Sequence, residues 1–378
     1  MKGAQVKGVA KMGSRLDANE SPYPIPEAIW EEMGDLARRM DPHRYVDPER
    51  SGLREAIADY TGVDPAQVLV GNGSDDLILA LCLALARGGT VVAPAPTFYM
   101  YGWGAEMAGA QYVEVPLLSD FDLDVPALLE TGRSHPGALL FLCRPNNPSG
   151  RLYPREVVEE VLAGWPGPVV VDEAYYEFAG DSLLTAPAPG SVGHSALAAD
   201  PVAVAAGGPA SPVVVLRTFS KAFRLAGLRV GYAILPEVPR KGLSRGTPGA
   251  PQGWRHKIRY CLQPYNVSAF AQAAALVMLR HLDLVQELVE ECRQERERLF
   301  RGIADLGLQV YPSRTNFILF RPRREPTEVY AALREQGIRI RAYPPPSLAS
   351  PFLRVSVGSP RENDLFLDAL AVAEGAQL

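Results

Sequence analysis

Between Gln67 and Leu235 short apolar runs alternate with longer stretches of helical periodicity. The runs are QVLVG (67–71), TVVA (90–93), QYVEV (111–115), ALLFLC (138–143), PVVVD (168–172), PVVVLR (212–217) and LRVGYAIL (228–235). Most are continuously apolar rather than alternating, which is the pattern of strands covered on both faces in a largely parallel sheet. Helix-length segments connect them. SDDLILALCLALARGG (74–89) is one, with Ser74 or Asp75 expected as N-cap and Gly88 at its end. The pattern predicts an α/β layer architecture. Downstream, residues 268–307 form a long helical stretch with Leu284, Leu288 and Cys292 on one stripe. Strand-like TNFILF, IRIRA and LRVSVG follow, separated by a helix near 326–336, so the C-terminal third reads as a smaller α+β lobe. Two Ala/Pro/Gly-rich segments, 186–212 and 236–253, break the rhythm and read as surface insertions.

Composition narrows the class of protein. A chain of 378 residues, 47% hydrophobic and 21% charged, has ample core for a large domain with a second lobe. A net charge of −5 gives no footprint for nucleic acid or an anionic membrane. The longest apolar run, LILALCLALA (77–86), is too short to span a bilayer, and the basic N-terminus lacks an apolar stretch of the secretory kind. Cys82, Cys143, Cys261 and Cys292 are scattered without a CxxC pair, as are the five histidines, so reduced thiols and no metal site are expected. These features together predict a soluble, cytoplasmic protein.

In open α/β sheets ligands bind beyond the carboxyl ends of the strands. Here those ends carry GNGSDD, PAPTF, RPNNPSG, DEAY and TFSK, which gather polar and aromatic groups on one rim. GNGSDD can turn into a helix whose free N–H groups hold phosphate, but it is not GxGxxG. Taken singly, Asp172, Tyr175, Asn147, Arg229 and Phe98 each have an ordinary structural reading. Lys221 changes the balance. Only 6 of the 38 basic residues are lysines, and a lysine at the end of a buried strand is costly unless paired or reacting. The reaction that needs an amine there is a Schiff base with a carbonyl cofactor. Pyridoxal 5′-phosphate (PLP) also needs an acid for its ring nitrogen, a phosphate site and a ring partner. Asp172, the GNGS turn with Arg229, and Phe98 supply them.

With these residues assembled, the chain resembles the fold-type-I PLP-dependent aminotransferases, most closely the histidinol-phosphate aminotransferase family. PNNPSG, VDEAY, SKAFRLAGLRVGY, PYNVS, TNFILF and LRVSVG stand in family order across residues 16–363. The resemblance implies a large domain with a mostly parallel seven-stranded sheet (47–265) and a small α+β domain (14–46 with 266–378). It implies that Lys221 carries PLP and then shuttles a proton, that Asp172 pairs with the ring nitrogen, and that Tyr175 and Asn147 bond the ring oxygen. Phe98 would stack on the ring. Arg229, Ser220 and the Gly73–Ser74 turn with Asp75 would hold the phosphate. Tyr45 would reach the phosphate site of a second subunit in a homodimer with its active sites at the interface. Arg354 and Arg341 would meet the anionic end of the substrate, with Tyr23 assisting.

The implied activity is amino transfer between L-histidinol phosphate and 2-oxoglutarate. Val46 stands where the family usually has proline and Ser21 where asparagine is usual, and the resemblance would place both at the substrate entrance. Aromatic or broad-specificity amino-acid transamination, and decarboxylation of a phosphorylated amino acid, stay open as alternatives. A PLP-binding regulatory module would need a further DNA-binding segment, for which the stretch before Leu16 has no room. A nucleotide-binding oxidoreductase is what the alternating α/β pattern alone suggests.

Overall fold

The computed structural model describes residues 13–184, 212–235 and 251–375, so nearly all of both Ala/Pro/Gly-rich segments lies outside it. In chain order the elements are α1 (Glu27–Arg38), α2 (Ser51–Thr61), β1 (Val68–Gly71), α3 (Ser74–Leu85), β2 (Thr90–Ala95), α4 (Met100–Met107) and β3 (Gln111–Pro116). Then come α5 (Val125–Ser134), β4 (Leu139–Cys143), α6 (Arg155–Gly164), β5 (Val169–Asp172), α7 (Tyr176–Ala179), β6 (Val213–Thr218) and β7 (Gly231–Ile234). The remainder comprises α8 (Pro251–Cys261), α9 (Ala269–Arg280), α10 (Leu282–Asp305), β8 (Gln309–Val310), β9 (Phe317–Arg321), α11 (Pro326–Glu335), β10 (Arg341–Ala342), β11 (Leu353–Ser356) and α12 (Pro360–Ala373).

All seven expected runs form strands of one sheet, ordered β1-β7-β6-β5-β4-β2-β3. Only β7 runs antiparallel to its neighbours. The period of two along each strand divides the core. Val170, Val214 and Leu216 join Leu77, Leu81 and Tyr101 on one face. Val169 and Val171 join Leu128, Val158 and Val161 of α5 and α6 on the other. Continuous apolarity follows from both faces being covered, and truncating a side chain such as Phe141 to alanine costs about 3–5 kcal/mol.

Several boundaries differ from the pattern, each for a local reason. The last strand starts at Gly231 instead of 228, because Ala226–Leu228 make a 3-10 turn and Arg229 takes a left-handed conformation, φ 56°. The N-cap of α3 is Gly73, not Ser74 or Asp75. The long helical stretch breaks at His281 into α9 and α10. Its buried stripe is Val285, Val289, Cys292, Arg296, Leu299 and Ile303, one position on from Leu284 and Leu288.

The second sheet is antiparallel throughout, in the order β10-β11-β9-β8. In IRIRA only Arg341 and Ala342 pair with β11, while Arg339 exchanges backbone bonds with Ser14 and Leu16 of the N-terminal segment. That segment is thereby stitched to the second lobe. One apolar core runs from Phe320, Leu353 and Phe366 of this lobe to Val70 and Tyr232 of the large sheet.

Candidate active site

Because β1, β2, β4, β5 and β6 point the same way, their carboxyl ends share one rim, and antiparallel β7 brings its amino end to the same place. Gly73–Ser74, Phe98, Asn147, Asp172, Ser220–Lys221 and Arg229 therefore lie on one edge of the sheet.

The β1–α3 turn meets Arg229 at close quarters. Arg229 Nη2 donates to Asp75 Oδ2 at 2.9 Å, and Nη1 donates to Ser220 Oγ at 3.4 Å. Gly73 has φ +82°, and a Cβ there would lie 2.5 Å from Arg229 Nη2; a Cβ on Gly231 would lie 2.5 Å from Ser74 N. Two glycines thus bring a guanidinium and a hydroxyl to the amino end of a twelve-residue helix, where unpaired N–H groups favour an anion.

Asp172, 2% exposed, accepts from Tyr101 Oη at 2.8 Å and from the backbone N–H of Ala174 at 3.1 Å. Burial pushes its carboxyl up to about 6, against the pull of the Tyr101 hydrogen bond. Tyr101 is itself held by stacking on Phe141, 4.5 Å between centroids, and Phe98 meets the Tyr101 ring edge-on at 5.8 Å. Tyr175 Oη accepts from Asn19 Nδ2 at 3.0 Å and from Asn147 Nδ2 at 3.4 Å. Asn147 Oδ1 in turn accepts from Arg354 Nη1 at 2.6 Å, and Arg354 Nη2 donates to the Asp17 carbonyl at 2.7 Å.

Lys221 is half-buried, and its Nζ donates to the Ala18 carbonyl at 3.2 Å. Desolvation first, and then the nearby Arg354 charge, lower its amine to about 8. It opens on a pocket walled by Tyr23, Phe178, Leu288, Val289 and Val357. Tyr23 reaches this wall, but its hydroxyl donates to Glu291 Oε1 at 2.5 Å. Arg341 is exposed and sits directly opposite Arg354 across β10 and β11.

The rim brings together Gly73, Ser74, Asp75, Phe98, Asn147, Asp172, Tyr175, Ser220, Lys221, Arg229 and Arg354. Tyr45 stands apart from this network: it is 84% exposed and stacks on Tyr265 at 4.6 Å. Sequence reasoning passed over Asn19 and Tyr101. Asn19 lies in LDANESPY (16–23), and its φ of 54° is a conformation asparagine tolerates better than most residues. Tyr101 gave no signal, because only the sheet brings α4 over the end of β5.

The model of the aminotransferase class I and II family matches residues 12–370. The chain belongs to the class I and II aminotransferases. It is a PLP-dependent transaminase. Histidinol-phosphate aminotransferase of Thermoanaerobacter sp. strain X514 is 35% identical over 94% of this chain and 92% of its own. The enzyme of that name from Thermococcus gammatolerans is 37% identical over 96% of this chain and 92% of its own. Among solved structures, histidinol-phosphate aminotransferase from Sinorhizobium meliloti in complex with pyridoxal-5′-phosphate aligns with a TM-score of 0.77, at 27% identity, covering 96% of this chain and 91% of that one.

The residues present fit that cofactor. The glycine-lined approach of Arg229 to the α3 terminus suits a phosphate, the buried Asp172 suits a protonated ring nitrogen, and the depressed amine of Lys221 suits a carbonyl partner. Among the described residues no helix is long and apolar enough to cross a membrane.

Proposed function

We propose that the chain transfers the amino group of L-histidinol phosphate to 2-oxoglutarate. The observation that carries this reading is the Arg341–Arg354 pair. Like charges directly opposite on antiparallel strands are unfavourable, and here they share one face of the sheet, with Arg354 near enough to Lys221 to lower its amine. A phosphate monoester, with its extra negative charge, offsets two guanidinium groups where a carboxylate offsets one. The names of the relatives agree with it.

PLP, when bound, supplies an electron sink for the bond broken at the substrate's α-carbon. Lys221 would hold it, and its Nζ would take and return the α-proton; an amine lowered to about 8 is near the range where both roles are open at neutral pH. Asp172 keeps a negative charge against the ring nitrogen, with Tyr101 fixing the carboxylate. Tyr175 and Asn147 would bond the ring oxygen, Phe98 would stack on the ring, and Arg229, Ser220, Asp75 and the Gly73–Ser74 turn would hold the phosphate. Arg354 and Arg341 take the anionic end of the substrate, and Tyr23 lines its path.

The exposed Tyr45–Tyr265 stack supports a homodimer in which Tyr45 reaches the phosphate site of a second copy. The reading also takes 47–265 as the cofactor domain, with 14–46 and 266–378 closing on it, in a cytoplasmic enzyme. The test is an anaerobic half-reaction on the PLP-loaded protein, following its visible band as histidinol phosphate, phenylalanine or glutamate is added alone. Bleaching by histidinol phosphate at far lower concentration, with 2-oxoglutarate restoring the band, is the expected result. Preferential bleaching by phenylalanine moves the protein to aromatic substrates.

A further inference from the structure

Arg224 follows Lys221 by three residues and lines the same pocket. Its Nη1 donates to the Pro24 carbonyl at 2.6 Å, but Nε and Nη2 are buried and have no hydrogen-bond partner among the described residues. Two buried guanidinium donors left unpaired carry a desolvation cost that native proteins rarely leave standing without cause. Burial lowers the group to about 10, with Glu291 and Tyr23 opposing, so it is charged at neutral pH. The Tyr23 ring does not take the place of a hydrogen-bonding partner. It stands 5.4 Å from the guanidinium carbon, against 3.5 Å for the tight stack of Arg217 on Tyr176. Arg224 also holds φ at 59°, a left-handed conformation that a β-carbon disfavours and that fixes where the side chain leaves the backbone.

We propose that Arg224 is the residue that receives the distal carboxylate of a dicarboxylic oxo acid or amino acid, in the pocket it shares with Lys221. This rests on the transamination reading above. An enzyme that returns to its starting form with a second substrate must house two different tails in one pocket. Both substrates carry an anionic end for Arg354. Their tails differ, one an uncharged or cationic ring with N–H donors and the other a carboxylate. Tyr23 in the pocket wall is flanked by one group of each sign, the Glu291 carboxylate bonded to its Oη and the Arg224 guanidinium 5.4 Å from its ring centroid. The unpaired Nε and Nη2 are the two donors that a carboxylate accepts side by side.

The experiment compares Arg224→Gln and Arg224→Lys with wild type in the PLP-loaded protein. Calorimetric titration uses glutarate and pentanoate, which have the same chain length and differ by one carboxylate. In parallel, the amino form of the enzyme is discharged with 2-oxoglutarate or pyruvate. Glutarate affinity and kcat/KM for 2-oxoglutarate are expected to fall about 30-fold in Arg224→Gln and about 5-fold in Arg224→Lys, with pentanoate and pyruvate unchanged. Equal losses for the mono- and dicarboxylate overturn the assignment and leave Arg224 holding Pro24 only. Glu291→Gln removes a carboxylate near the same ring and is expected to strengthen glutarate about 3-fold; a fall as large as that of Arg224→Gln also overturns it. Should neither oxo acid discharge the wild type, transamination fails, while the glutarate–pentanoate difference still decides the site.

Discussion

Asp172 and Glu173 are neighbours at the end of β5, and both carboxylates are buried, yet their surroundings differ. Glu173 takes Arg217 Nε and Nη2 at 3.1 and 2.9 Å, Ser182 Oγ at 2.8 Å and the Leu183 N–H at 2.7 Å. Its acceptors are filled from within the chain, and Arg217 is stacked on Tyr176 besides. Along the rim that holds Asp172, Lys221, Arg224 and Arg354, partners are fewer. Lys221 has one backbone carbonyl, and Arg224 Nε and Nη2 and Arg354 Nε have none among the described residues. A carboxylate and a cation that satisfy each other serve the fold, whereas the rim groups keep capacity for a ligand.

The contrast breaks if the two clusters respond alike to mutation. Lys221→Ala should lower kcat by at least about 10³-fold while leaving the urea midpoint at pH 7 equal to or above that of wild type. Turnover near wild type would remove Lys221 from the chemistry. Glu173→Ala should do the opposite, leaving the Arg217 charge buried and unpaired and destabilising the protein by about 3–5 kcal/mol in chemical denaturation. A loss under 1 kcal/mol there would mean that the Glu173 cluster is no more structural than the rim.

An amine whose folded-state value is lowered from 10.5 to about 8 binds fewer protons when folded than when unfolded between those values. The cofactor-free wild type should therefore gain stability relative to Lys221→Met as pH rises from about 8 to 10.5, with no difference in slope below 8. A flat difference would show that Lys221 is an ordinary solvated lysine, and a falling one that its amine is held charged by a partner. Tyr101→Phe should give the smallest effect, about 1 kcal/mol from the lost 2.8 Å bond to Asp172. A larger loss would place Asp172 with Glu173 among the groups that hold the fold together.

The sequence by itself determined the seven-stranded sheet, since runs such as ALLFLC and PVVVD are apolar on both faces and have no stable place except between two helical layers. It also placed the chemistry, because the strand-end motifs put Asp172, Lys221 and Arg229 on one rim once the strands are parallel. What it left open was decided across the chain. The four-residue β7 begins only after a left-handed Arg229, and short β10 pairs for two residues because Arg339 is already engaged by Ser14 and Leu16. Asn19 meets Tyr175 across 156 positions, and Arg354 meets Asn147 across 207. No local period encodes such pairs, since they exist only when the N-terminal segment and the second sheet pack onto the rim. Which buried donors find partners, and which are left for a ligand, is likewise a property of that packing, because satisfaction of a polar group depends on every element around it and not on the residue alone.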